Sequence, residues 1–371
     1  MVNSIGTNMM FNFRGKTVLI TGHTGFKGSW LTAWLVKLGA NVVGIALDPP
    51  TDPSHFASAK LSTVMNDLRI DIRNQKDVEN TILKTKPDFV FHLAAQSLVR
   101  QSYENPIETW QTNVMGTINI LEALRKINNL CTAIIITSDK CYRNIEQTDG
   151  YKETDELGGF DPYSGSKGAA ELAIRSYVRS YFPKESTNVR IASARAGNVI
   201  GGGDWAVDRI IPDCVKNWSQ NNTIQLRNPN ATRPWQHVLE PISGYLTLAL
   251  ALTRDISLHG ESFNFGPQEE EDHSVIDLVQ EMSIYWDQVK WEDISNIPSK
   301  YHESSLLKLN CAKASELLRW NATLDFKNTI FMTANWYQKY YTNLEQIQDI
   351  TNQQIDDYVK LAVKKGLPWA K

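Results

Sequence analysis

An apolar, β-rich run from Lys16 to Thr21 ends in Gly22-His23-Thr24-Gly25-Phe26-Lys27-Gly28, and a helical pattern follows from about Lys27 to Leu38. Three glycines at this spacing, between a strand and a helix, leave few folds open. The first permits a tight turn, the second lets backbone approach a pyrophosphate, and the third lets helix and strand pack closely. The helix N-terminus then offers unpaired N–H groups and a positive dipole end to phosphate. The same rhythm continues along the chain. Further strands are expected at Asn41 to Leu47, Val64 to Ile70, Phe89 to Leu93, Ala133 to Thr137 and Val189 to Ala194. Helices are expected at Gln75 to Lys86, about Pro106 to Ile127 and about Pro162 to Phe182. The Asp48-Pro-Pro-Thr-Asp-Pro stretch is a loop, because proline ends helices and interrupts central strands. Alternating strands and helices predict an α/β fold, a Rossmann-type doubly wound parallel sheet, with functional groups at the carboxyl ends of its strands.

After about Ala196 the rhythm breaks. Gly201 to Gly203, many asparagines and scattered prolines point to a smaller, irregular α/β substrate domain. The expected division is residues 1–195 for dinucleotide binding, with 1–14 as an extension. Residues 196–340 are mainly the substrate domain, with segments returning to the first, and 341–371 form a polar, helical surface appendage. A hydrophobic fraction of 42% and a charged fraction of 21% exclude disordered and fibrous classes. A net charge of −3 gives nucleic acid no attraction as a partner. No apolar run spans a bilayer, and Met1 to Arg14 contains no signal-peptide core. Cys131, Cys141, Cys214 and Cys311 have neither metal-ligand spacing nor a disulfide pattern, which predicts a cytoplasmic protein with no metal.

Asp48 stands at the end of the second strand, where a carboxylate accepts from ribose hydroxyls and repels a 2′-phosphate. That favours NAD over NADP. Asp71 and Ile72 follow the third strand, toward the adenine, and Leu93-Ala94-Ala95-Gln96 closes the fourth. At the end of the fifth strand, Thr137-Ser138-Asp139-Lys140 sets a hydroxyl, a carboxylate and an amine side by side. Tyr163 and Lys167 follow, four apart and therefore on one helix face. An ammonium near a phenol lowers the tyrosine pKa, so Tyr163 is expected to take a proton from a substrate hydroxyl as hydride leaves the same carbon. The competing reading is an amphipathic surface pair; the dinucleotide turn upstream argues for chemistry.

The glycine spacing, the Leu93-Ala94-Ala95-Gln96 run and Tyr-x-x-x-Lys together resemble the extended short-chain dehydrogenase/reductases, over at least Lys16 to Ala196. The resemblance implies that Lys167 also bonds the nicotinamide ribose and that Ser138 bonds the reacting sugar oxygen. Asp139 and Lys140 depart from plain dehydrogenases and fit sugar 4,6-dehydration. There a carbon-4 ketone acidifies carbon 5, a base removes that hydrogen, and an acid helps the carbon-6 hydroxyl leave as water. The tandem in such dehydratases is usually Asp-Glu. Here Lys140 would be the base, once burial and Lys167 lower its pKa, and Asp139 would need a raised pKa to be the acid.

Several segments resemble the CDP-glucose 4,6-dehydratase family: Ser-Asp-Lys-Cys-Tyr at 138 to 142, the stretch Thr21 to Leu31, Gly197 to Trp205, Arg233 to Pro241 and Tyr301-His-Glu303. That family implies CDP-glucose as substrate, NAD as cofactor and a place in deoxysugar and surface-polysaccharide (lipopolysaccharide O-antigen) biosynthesis. In related dehydrogenases the helices corresponding to 106–127 and 162–182 pair across a two-fold, so a homodimer or homotetramer is implied. From the residues themselves, Arg233 suits bidentate phosphate recognition. Asn198 follows the sixth strand toward the same pocket, with Arg209 as a further substrate candidate and Arg195 and Arg227 as weaker diphosphate candidates, each either structural or exposed. Trp205 and His237 either line the pocket or pack. Nothing in these residues separates cytosine from uracil or thymine. A 4-epimerase or 4-reductase stays open as an alternative, as does a non-catalytic NAD-binding regulator.

Overall fold

The structure, a computed structural model, describes residues 11–267, 273–287, 289–296 and 306–371. Seven parallel strands form the central sheet: β1 (Thr17–Thr21), β2 (Asn41–Ala46), β3 (Asn66–Arg69), β4 (Phe89–His92), β5 (Cys131–Ile136), β6 (Val189–Ala196) and β7 (Ser262–Phe265). Their spatial order is β7-β6-β5-β4-β1-β2-β3, with every pairing parallel. The order reverses between β1 and β4, and a crevice opens there at the carboxyl ends of the strands. All six residues of β5 are buried, as a central parallel strand covered on both faces requires.

The covering helices are α1 (Phe26–Lys37), α2 (Gln75–Thr85), α3 (Gly116–Leu124), α4 (Pro162–Tyr181), α5 (Leu239–Arg254), α6 (Phe326–Thr342) and α7 (Ile347–Lys364). α2, α3 and α4 close one face of the sheet over Ile45, Val78, Ile82, Ile120, Leu124 and Ile174. α1 and α5 close the other. The long helix expected from Pro106 is divided: a helical Pro106–Trp110 passes through a π-helical turn, Gln111–Met115, into α3. α4 starts sharply because Asp161 accepts a 2.9 Å hydrogen bond from the Ser164 N–H and Pro162 occupies the first turn.

At the N-terminal end the structure packs the expected extension, and at the C-terminal end it differs from the expectation. Phe11 stacks on Trp369 at 5.5 Å and Phe13 is fully buried beside Phe89, so the residues leading into β1 belong to the core. The stretch expected as a surface appendage is packed against α1. Thr351, Gln354, Ile355, Tyr358, Val359 and Ala362 are buried, a stripe at three- and four-residue spacing within a polar helix. Tyr358 meets Trp34 edge-on at 5.8 Å and donates 2.7 Å to the buried Glu240 carboxylate. The same carboxylate accepts from the Thr323 and Leu324 N–H groups, and burial pushes it up to about 7. No helix among the described residues is long and apolar enough to cross a membrane.

Candidate active site

The glycine turn is tight enough to exclude side chains at Gly22 and Gly28. Gly22 has φ +76°, and a methyl group there would lie 2.7 Å from the Ala94 nitrogen. A methyl at Gly28 would lie 2.1 Å from the Gly22 carbonyl oxygen. Gly25 precedes α1 with no side chain capping the helix, and a methyl there would meet nothing nearer than 3.4 Å. A bare helix N-terminus facing a crevice fits the pyrophosphate of a dinucleotide such as NAD. The strand ends are pinned around it. Thr21 bonds His92 at 2.7 Å and accepts from the Ala94 N–H at 3.1 Å.

The turn's side chains divide. Thr24 donates to the Leu47 carbonyl, and His23 points into the protein, bonding Asp67 at 2.8 Å edge-on to Phe56. His23 is fully buried, and burial lowers its pKa, so it supports β2 and β3 and does not face a ligand. Phe26 and Lys27 line the crevice. Burial, then the Arg209 charge, brings Lys27 down to about 8, against the pull of Asp139. Asp48 is open to solvent, 3.5 Å from Arg69. Asp71 lines the crevice but is gripped by Arg73, whose hydrogen bonds outweigh burial and hold the carboxyl below its usual range. Ile72 lies beside it against Gly116, and Leu93, Ala94 and Ala95 line the same wall.

Beyond β5 the backbone turns at Ser138, so Ser138, Asp139 and Lys140 all border the crevice and do not alternate across a strand. Ser138 donates 2.8 Å to Asp139, whose same oxygen accepts from the Lys140 N–H at 2.8 Å. Asp139 and Ser138 are buried and Lys140 is partly exposed. Tyr163 stands at the start of α4, close enough to Ser138 for a hydrogen bond, with Lys167 buried one turn behind. The expected lowering of Tyr163 is not found: burial, with Asp139, pushes it up to about 12. Burial, then the Lys27 charge, pulls Lys167 down to about 8.

Two supporting residues were not singled out from the sequence. Glu171 continues the Tyr163, Lys167 face one turn further and forms a fully enclosed ion pair with Arg195 at 2.7 Å. It also accepts from Thr137 at 2.5 Å, which anchors the residue before Ser138. Arg195 is therefore spent inside, bonding the Tyr142 hydroxyl at 2.6 Å, and does not reach a diphosphate. Asn113, in the π-helical turn, bridges the Gln96 backbone and Ser166. The visible signals were the repeated four-residue spacing and an asparagine on the buried face of a helix.

The crevice encloses about 1840 Å³. Asn198 (φ +53°), Arg209, Arg227 and Arg233 border it from the second half of the chain. Arg209 pairs with Asp204 at 2.6 Å and reaches Ser97 at 3.4 Å. Gln96 borders the crevice but is tied to its neighbours, and Trp205 and His237, for which lining and packing both stood open, are buried. Gln96 turns its amide onto Leu98 and Thr109, shaping its own loop. Trp205 is buried among Tyr337, Tyr340 and Tyr341 and backs the crevice wall. His237 is fully buried beside Trp30, where burial brings it down to about 3. The Tyr301-His-Glu303 motif lies outside the described residues.

The sequence profile for GDP-mannose 4,6 dehydratase matches residues 19–333. A CDP-glucose 4,6-dehydratase from Salmonella typhimurium is 44% identical over 357 residues, which is 95% of this chain and 98% of that one. A CDP-paratose 2-epimerase from Salmonella typhi is 26% identical, over 86% and 98%. Among solved structures, an epimerase from Methanothermobacter thermautotrophicus superposes with a TM-score of 0.76 at 21% identity, over 92% of this chain and 97% of that one. The UDP-glucuronic acid 4-epimerase of Bacillus cereus, in complex with UDP-glucuronic acid and NAD, gives 0.73 at 22%, over 88% and 100%. At these identities the solved structures speak for the fold alone.

Proposed function

The chain belongs to the GDP-mannose 4,6 dehydratase family, and on that premise we propose that it dehydrates CDP-D-glucose to CDP-4-keto-6-deoxy-D-glucose, using NAD without net redox change. The observation that carries this reading is the carboxylate beside the hydroxyl. Asp139 is buried, bonded to Ser138 and held beside Tyr163 on one crevice floor. An epimerase or reductase has no use for that acid. The glycine turn at Gly22, Gly25 and Gly28 would hold NAD, which would supply the acceptor for the carbon-4 hydride and the donor for its return to carbon 6. Tyr163 removes the carbon-4 hydroxyl proton, Ser138 orients that oxygen, and Lys167 steadies the charge of the phenol. Lys140 takes the carbon-5 hydrogen as a proton and gives a proton back to carbon 5 when hydride reaches carbon 6, and Asp139 delivers a proton to the departing carbon-6 hydroxyl. Gly22, Gly25 and Gly28 would leave room for the NAD pyrophosphate, and Asp48, open to solvent just past β2, would accept from the adenosine ribose hydroxyls.

The choice of cytidine rests on the 44% identity to an enzyme of that name across nearly the full length of both chains. A homodimer is supported by an apolar face. Ile107, Trp110, Met115 and Leu172 are 42–73% exposed along the two helices beside the crevice, enough to form a two-fold contact. A cytoplasmic place of action fits four free cysteines, three of them buried.

The test incubates the protein with CDP-, dTDP-, UDP- and GDP-hexoses, with and without NAD, and weighs the products. Loss of one water from CDP-glucose with no net NADH is expected. Loss from another nucleotide sugar would overturn the choice of base, and an altered sugar configuration at unchanged mass would overturn the dehydration.

A further inference from the structure

Two arginines from opposite walls of the crevice converge on one carboxylate oxygen. Arg100, in the short helix Val99–Glu104 beyond β4, places Nη1 2.7 Å from Asp208 Oδ1. Arg227, directly after the strand Ile224–Leu226, places Nη1 3.5 Å from the same atom. All three residues border the crevice. We infer that Arg100 and Arg227 are a clamp for the substrate diphosphate, and that Asp208 stands in for the diphosphate until substrate displaces it. The inference deepens the nucleotide-sugar reading above and rests on it.

The argument is one of geometry and charge. The reacting sugar must lie on the Ser138 and Tyr163 floor, so the diphosphate lies elsewhere along the same crevice, which Arg100 and Arg227 both border. The three side chains are 32–37% exposed, so the trio is an open ion cluster and not a sealed structural pair. Pairs in that setting are weak and readily exchanged. A diphosphate offers two guanidinium groups more oxygen acceptors and more charge than one carboxylate does. Asp208 also has φ +60°, a backbone conformation that L-residues seldom adopt and that collects at ligand clamps and switches. Arg209 is matched by its own Asp204 at 2.6 Å. Asp213, at the start of the helix Ile210–Trp218, feels both Arg100 and Asp208, and burial together with Asp208 pushes it up to about 6. A second carboxylate close to Asp208 makes its release easier.

The test compares binding of CDP-glucose, CDP and CMP to the NAD-loaded enzyme by calorimetry, with steady-state rates alongside. The variants are Arg100→Gln, Arg100→Lys, Asp208→Asn and the double variant Arg100→Gln/Asp208→Asn. For Arg100→Gln, KM for CDP-glucose should rise about tenfold to a hundredfold with little change in kcat, and the preference for CDP over CMP should shrink. Arg100→Lys keeps the charge without the fork and should fall between. Asp208→Asn should tighten CDP binding, and that gain should vanish in the double variant. The inference is overturned if Arg100→Gln keeps the full CDP-over-CMP preference, or if Asp208→Asn weakens CDP binding as Arg100→Gln does, since Asp208 would then be an anchor. Should the enzyme turn over another nucleoside diphosphate sugar while Arg100→Gln still loses its diphosphate preference, the choice of base fails and the clamp stands.

Discussion

Gly197, directly after β6, offers a way to move the candidate acid without altering it. A methyl group at Gly197 would lie 1.7 Å from Asp139 Oδ2 and 2.1 Å from Cγ. Ordinary non-bonded contact is roughly 3.5 Å, so Gly197→Ala must drive the carboxylate back by roughly 1.5–2 Å. The backbone tolerates alanine there, because Gly197 is not among the positive-φ residues. Its carbonyl still accepts from Gln236 Nε2 at 2.9 Å. Misplacing a reacting group by about 1 Å costs on the order of a hundredfold, or about 2.7 kcal/mol of activation free energy. Dehydration should fall by at least that factor, while carbon-4 oxidation, which uses Tyr163 and Lys167, survives. A single turnover of CDP-glucose, followed by nicotinamide absorbance and by mass, separates the two steps. The expected result is accumulated NADH with no loss of water. Water loss at the parental rate, in this variant or in the isosteric Asp139→Asn, would refute the assignment of Asp139.

Glu171→Gln removes one partner of the sealed Glu171–Arg195 pair and should destabilise the fold by about 3–5 kcal/mol, read from the urea midpoint. Lys167 titrates near 8 when folded, well below its ordinary 10.5, so between those values the unfolded chain binds more protons. Stability of the cofactor-free protein should therefore rise with pH from about 8 to 10.5, and Lys167→Met should flatten part of that rise while abolishing turnover. A melting series from pH 7 to 10.5 checks it; an unchanged slope in the variant refutes it. Trp110→Glu places a charge in the exposed apolar face beside Ile107 and Met115 and should split the proposed dimer, as light scattering would show, without unfolding the protomer.

Six strands of the sheet, the glycine turn and the Tyr163–Lys167 helix were legible because local patterning determines them: apolar runs, punctuating glycines and a proline-led cap. β7 was not, since Ser262–Phe265 is four residues long and is a strand only by pairing with Ser193 to Ala196. The tail was misjudged for a related reason. Its buried stripe is thin, and what it buries against, Trp34 and Glu240, lies far away in the chain. Within the site, side-chain direction was the missing information. His23 and Gln96 sit in the right segments, yet their polar atoms are taken by Asp67 and by Gln96's own loop. Tyr163 shows the limit of pairwise reasoning: a lysine four residues on does not lower a phenol that burial raises.

The helix that presents the glycine turn is synthesised early and covered late. α1 ends at Lys37, while the outer wall against Trp34 comes from Tyr358 and Trp369, more than three hundred residues later. At roughly 5–20 residues per second, translation takes roughly 15–60 s to cross that interval. During that time Trp34 lacks its C-terminal cover and has only Phe11 edge-on to it at 5.9 Å, while Trp30 already has His55 stacked on it at 4.7 Å. The helix that carries the glycine turn is therefore among the last elements of the nascent chain to be fully covered, although its sequence signature is among the first to emerge.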